Sequence, residues 1–118
     1  MSKDQKEDCI FCQIVNGKIP VDLVYESDDL IAFPDINPKT PVHIIIIPKR
    51  HIDPNEDISG TDYSMTGDVL KAAKNIASKK GVAESGFRLL ANVGADAGQE
   101  IDHLHFHLLG GRRLGDLG

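Results

Sequence analysis

Near the end of the chain, Ile101-Asp102-His103-Leu104-His105-Phe106-His107-Leu108-Leu109-Gly110-Gly111 alternates apolar and polar positions. A period of two marks a strand with one buried face. On such a strand Leu104, Phe106 and Leu108 face a core, and His103, His105 and His107 line the other side, about 6.5–7 Å apart. Val42–Ile47 is β-branched almost throughout, which predicts a central strand buried on both faces and ended by Pro48. Val21–Glu26 and Leu30–Phe33 read as strands joined by the turn Ser27–Asp29, and Phe87–Val93 as a further strand. Apolar residues at 10, 11, 14 and 15, followed by Gly17, predict a short helix. Those at 65, 69, 70, 72, 73, 76 and 77 predict an amphipathic helix over Met65–Lys80, closed by Gly81. Residues 34–41 hold three prolines and read as a loop; residues 53–62 are acidic and turn-forming. Helix, three strands, long helix, two strands: the order predicts an antiparallel sheet in an α+β domain.

With 118 residues there is room for one core, placed at 9–118 behind a polar, frayed stretch at 1–8. The formal charge of −5 argues against a surface that holds nucleic-acid backbone, although a single small nucleotide fits. The longest apolar run, Ile44–Ile47, is too short for a membrane span. Met1–Asp8 lacks the apolar core of a secretory signal, so a cytoplasmic address is expected. In that setting the pair Cys9 and Cys12 points to a redox or metal role rather than a structural disulfide.

Three of the five histidines stand on one ridge. Imidazole titrates near neutrality and serves as base, acid or nucleophile. A neutral histidine nitrogen attacks phosphorus, splitting one difficult transfer into two easier ones. The loop Gly94–Gln99, with two glycines, offers backbone N–H groups and the Gln99 amide to a phosphate. His-x-His on a strand is equally a metal-ligand pattern, so a three-histidine catalytic metal site stays open at this point. His43, on the Ile-rich strand, is by default a packed structural residue, and Asp35 a solvated turn residue, unless the fold gathers them.

From Cys9 to Gly111 the chain resembles the histidine triad superfamily, in particular its Hint-like nucleotide-binding branch. The motif His-φ-His-φ-His-φ-φ, with φ apolar, stands as His103-Leu104-His105-Phe106-His107-Leu108-Leu109. Asn92-Val93-Gly94, Gly98-Gln99, Phe33-Pro34-Asp35-Ile36-Asn37-Pro38, Pro48-Lys49-Arg50-His51 and Ile10-Phe11 match in order. The resemblance implies a five-stranded antiparallel sheet with one long and one short helix, continued as ten strands in a homodimer. It implies binding of purine nucleotides and hydrolysis of nucleoside phosphoramidates, such as adenosine phosphoramidate or nucleotidyl-lysine, through a nucleotidyl-histidine. His105 takes the place of the nucleophile, His107 and Gln99 of phosphate contacts shaped by Asn92 and Gly98, and Asp35 of the ribose partner. Ile10, Phe11, Ile14, Phe33 and Ile36 take the places around the base, and His43 joins the hydrogen-bonded histidines that orient His105.

The resemblance further implies a structural zinc, since many bacterial-type members opening with Cys-φ-φ-Cys bind one through those cysteines, the histidine of the Pro-Lys-x-His segment and the first triad histidine, whereas other Hint-like proteins lack it. Cys9, Cys12, His51 and His103 fill these places, a set suited to a closed tetrahedral site. No catalytic metal is implied. Glu100 stands where the family often has a small hydroxylated residue, so a carboxylate there either repels a phosphate or steers a cationic leaving amine. Asp102 replaces a frequent aromatic and is a candidate to orient the ring of His103. The tail after Arg112 has no tryptophan, which puts in doubt a substrate contact reaching across the dimer from that tail. Hydrolysis of dinucleoside polyphosphates and a largely non-catalytic nucleotide sensor are the rival functions.

Overall fold

The computed structural model describes residues 5–58 and 60–117. In chain order it contains α1 (Ile10–Val15), β1 (Tyr25–Glu26), β2 (Leu30–Pro34), β3 (Val42–Pro48), α2 (Gly60–Ser64), α3 (Thr66–Lys79), β4 (Phe87–Leu90) and β5 (Phe106–Gly110), with a one-turn 3-10 helix at Ala95–Ala97. The five strands form one antiparallel sheet in the order β1-β2-β3-β5-β4. β3 therefore lies at the centre, as its β-branched run requires.

Alternation sorts the sheet's side chains into two layers. Leu30, Ala32, Ile44, Ile46 and Leu108 meet Val69, Ala72, Ala73, Ile76 and Ala77 of α3. Ile31, Phe33, Ile45 and Ile47 meet Cys9, Phe11 and Cys12 of the α1 region. α3 thus fills one face with small residues that let it approach closely, and the short α1 covers the other. The Cys9 side chain caps α1 by accepting the Cys12 N–H (3.4 Å).

Several boundaries differ from the pattern-based expectation. β5 is five residues long, and Ile101–His105 precede it outside the ladder. Continuing the β3–β5 register beyond Ile46↔Phe106 sets Pro48 opposite Leu104, and proline has no N–H to donate. Leu104 N–H goes instead to Ile52 C=O (2.6 Å). β4 ends at Leu90, opposite His107; in the same register Asn92 and Val93 would fall opposite His105 and Leu104, which lie before β5. β1 shrinks to Tyr25–Glu26, although Val24 N–H still bonds Ala32 C=O (2.9 Å). Pro34, expected in the loop, is the last residue of β2. The acidic stretch before α3 holds the extra helix α2, where Arg50 pairs with Asp62 (2.9 Å).

Of the stretch expected to be frayed, residues 1–4 lie outside the described residues. Gln5 bonds Lys49 C=O (3.4 Å), and Lys6 N–H reaches Cys12 Sγ (3.4 Å). Among the described residues no helix is long and apolar enough to cross a membrane.

Candidate active site and metal centre

His105 sits in the extended segment just before β5 and is buried. Its Nδ1 lies 2.8 Å from the carbonyl of His103. A carbonyl only accepts, so Nδ1 carries the proton and Nε2 keeps a free lone pair. Phe11 stands edge-on to the ring at 5.1 Å between centroids, and edge-on to His103 at 5.6 Å. His103 and His105 are buried, with Phe11 against both, so α1 covers this part of the histidine ridge.

His107, on β5, faces the α1 layer opposite Ile45 of β3. Its ring lies 5.2 Å from that of His105, and its Nδ1 is 2.9 Å from His43 Nε2. The Lys39 N–H donates to His43 Nδ1 (3.0 Å). That donor forces the His43 proton onto Nε2, from which it is given to His107 Nδ1, leaving the His107 proton on Nε2. Asp35 Oδ2 lies 3.4 Å from the same His43 Nε2. Burial pushes the pKa of His43 down, against the opposing charge of Asp35. Burial, with the neighbouring His105 and His43, pushes His107 down to about 4. Both rings are held neutral at physiological pH. His43 therefore bonds His107 and not His105, whose orientation comes from the His103 carbonyl.

Cys9, Cys12, His51 and His103 form a second cluster, with ligand atoms all within 4.8 Å of one another. Nδ1 of His103 faces Cys9 Sγ (3.3 Å) and Cys12 Sγ (3.6 Å), and His51 Nδ1 faces Cys12 Sγ (3.4 Å). His103 Nε2 donates to Pro48 C=O (2.9 Å), which keeps Nδ1 unprotonated and turned to the sulfurs. Burial pushes the Cys12 thiol up to about 11 and His103 down to about 4. Four soft or borderline donors with the second nitrogen of His103 already fixed fit a tetrahedral metal ion. Asp35, His43 and His107 also converge within 4.8 Å. There the Lys39 N–H locks a proton onto the His43 nitrogen that would have to ligate, so this cluster is built to hold a proton.

Asp102, a candidate to orient His103, accepts from Gln99 Nε2 (3.4 Å), while the Pro48 carbonyl orients the ring. Gln99 braces its own loop: Oε1 accepts from Gly94 N–H (2.7 Å) and Asn55 Nδ2 (2.9 Å), and Nε2 donates to Ile101 C=O (3.0 Å). The N–H groups of Ala97, Gly98 and Gln99 are likewise used within the loop. Gly94 and Gly98 adopt φ of +89° and +83°, which β-carbons disfavour. Of the residues expected around the base, Phe11 and Phe33 are buried with ring centroids 6.1 Å apart. Ile14 is half-buried, Ile10 is exposed and Ile36 is 92% exposed. Sequence reasoning missed Lys39 N–H, Pro48 C=O and Asn55. The first two act through the backbone, which leaves no side-chain signature.

The family model described as "Scavenger mRNA decapping enzyme C-term binding" matches residues 8–115. The purine nucleoside phosphoramidase of Escherichia coli K12 is 43% identical over 111 residues, 94% of this chain and 93% of that protein. Among solved structures, a histidine triad protein from Clostridium difficile is 42% identical at a TM-score of 0.90, covering 97% of this chain and 99% of the other. A HIT family hydrolase from Legionella pneumophila is 42% identical at a TM-score of 0.86, covering 92% and 96%.

Proposed function

The chain belongs to the histidine triad superfamily as one of its hydrolases, and from that premise we propose that it cleaves purine nucleoside phosphoramidates through a nucleotidyl-His105 intermediate. The observation that carries this reading is the bond from His105 Nδ1–H to the His103 carbonyl, which leaves Nε2 unprotonated. Nε2 attacks the phosphorus, the P–N bond breaks, and the leaving amine takes the proton that His107 holds on Nε2. The Lys39 N–H and His43 set that proton's place. Water then attacks the phosphorus and gives a proton back to His107 Nε2, the bond from phosphorus to His105 breaks, and the nucleoside monophosphate leaves with His105 Nε2 free again.

Asp35, at the start of the loop that leads into β3, accepts the ribose hydroxyls. The exposed Ile10 and Ile36 close with Ile14 over the base, on a floor made by Phe11 and Phe33. Gln99 meets the phosphate by turning its amide out of the loop it braces, in a pocket shaped by Asn92 and Gly98. Adenosine phosphoramidate and nucleotidyl-lysine are the proposed substrates, and the similarity to the E. coli phosphoramidase supports that class.

Zinc is the proposed ion for Cys9, Cys12, His51 and His103, because two thiolates and two neutral imidazoles balance its charge in a closed site. Bound there, it supplies structural cross-linking. No reacting group passes through it, and the chemistry stays on the histidines. A cytoplasmic address suits a thiol pair that must remain reduced to act as ligands. The chain pairs as a homodimer through a sheet edge.

In the test, His105→Ala abolishes turnover of adenosine phosphoramidate while AMP still binds with similar affinity by calorimetry. Quenching the wild type in alkaline denaturant, where a phospho-histidine bond survives, traps a nucleotidyl adduct on His105. Turnover surviving in the variant rejects this mechanism.

A further inference from the structure

We propose that His103 is a positioning residue that couples the Cys/His cluster to the nucleophile, so that the N-terminal cysteines govern the rate of phosphoryl attack. The inference rests on His105 being the nucleophile. His103 is fully buried and is used at three points. Its Nε2 is pinned to the Pro48 carbonyl (2.9 Å), its Nδ1 faces Cys9 Sγ and Cys12 Sγ, and its own carbonyl receives the His105 Nδ1 proton (2.8 Å). The side chain that belongs to the metal cluster and the carbonyl that selects the His105 tautomer are therefore parts of one residue. Only Leu104 intervenes. Its N–H is tied to Ile52 C=O (2.6 Å), so the segment has little freedom to compensate for a movement of His103.

A second connection runs through α1. Phe11 lies between the two cysteines in sequence, is 4% exposed, and meets both His103 and His105 edge-on. The cap that Cys9 places on the Cys12 N–H fixes the helix that carries this ring. Releasing the cysteines thus loosens both the acceptor of the His105 proton and the wall beside its ring. A neutral imidazole without a fixed acceptor shares its proton between both nitrogens, and only the form with Nε2 free attacks phosphorus. Misplacement of a reacting group by about 1 Å costs up to about a hundredfold in rate. The grip of the cluster thus sets the state of the nucleophile through His103 and Phe11.

The experiment compares the full-length chain as purified, stripped with a chelator under a phosphine reductant, and reloaded with Zn2+. Metal analysis follows each step. Backbone amide spectra show whether β3 and β5 persist, and 15N imidazole spectra read the tautomer of His105. The expected result is an intact sheet, a His105 signal that changes from one Nδ1–H tautomer to a mixture, and a fall of about tenfold or more in kcat that exceeds any rise in KM. Zn2+ restores both readouts. Should stripping melt the sheet, His51→Gln weakens the cluster while leaving the Phe11, His103 and His105 side chains unaltered, and it shifts both readouts in the same direction by less. A single Nδ1–H tautomer with kcat within about twofold of the loaded protein, in the stripped chain or in His51→Gln, overturns the coupling. Absence of phosphoramidate turnover in the loaded protein rejects the substrate reading instead, and the tautomer spectra still decide the coupling.

Discussion

Each histidine of the site owes its role to the hydrogen bond on its other nitrogen. His105 gives Nδ1–H to a carbonyl, His43 takes an N–H on Nδ1, and His103 gives Nε2–H to Pro48. The sequence singled out all three triad histidines, but it could not assign their protons, because the partners are backbone groups. The Pro48 carbonyl is 55 positions from His103, and nothing in the composition of that segment marks it. The same burial gives a pH signature. Native His107 stays neutral down to about pH 4, whereas an unfolded histidine takes its proton near pH 6.5. Between these values the unfolded chain holds the extra proton. Stability contributed by a neutral His107 is therefore complete above about pH 6.5 and is lost progressively as the pH falls toward about 4. Urea unfolding at pH 7, 5.5 and 4.5 is expected to show a shallower decline in His107→Gln than in the wild type. Equal slopes would show that His107 contributes nothing to the acid sensitivity.

At the scale of elements, the long-period and short-period patterns located α3, β2 and β3 closely, since apart from the exposed Leu70 the apolar positions of these runs pack into the two core layers. The histidine stretch was the least well described by its own alternation. Its pattern is unbroken from His103 to Leu108, yet the ladder breaks opposite Pro48, and His103, Leu104 and His105 are buried ahead of the strand. α2 escaped notice because five residues are too few to display a helical period. The proline loop before β3 proved more than a connector, for it delivers the Lys39 N–H to His43. Lys39→Pro deletes that single donor and leaves every side chain named in the mechanism intact. The expected result is a fall in kcat of roughly tenfold, clearly larger than for Lys39→Ala, which keeps the N–H. The His43 imidazole spectrum should change at the same time. Matching kcat values for the two variants would remove Lys39 from the relay.

Across the whole molecule, the sheet carries its chemistry on the α1 face and its largest apolar layer on the α3 face, and it ends in two unequal edges. β1 offers two residues, blunted by the Lys49–Glu26 ion pair (3.1 Å) beside it. β4 offers four, Phe87-Arg88-Leu89-Leu90, all half-buried, with neither proline nor lysine among them. An unprotected edge of this kind invites pairing with another strand. In the proposed homodimer a two-fold axis beside this edge would join β4 to its own copy antiparallel, closing the assembly and continuing the sheet to ten strands. Among the described residues β4 pairs with β5 alone, so the exchange rate of its outer amides distinguishes the two states. Sedimentation at micromolar concentration is expected to give twice the chain mass, with half of the β4 amides no longer exchanging at the rate of free edge groups. Dilution to the monomer should release those amides while the central β3 amides stay protected. A chain that sediments as a monomer, with rapidly exchanging outer β4 amides at every concentration, would reject the ten-stranded dimer and leave the catalytic histidines to work within a single subunit.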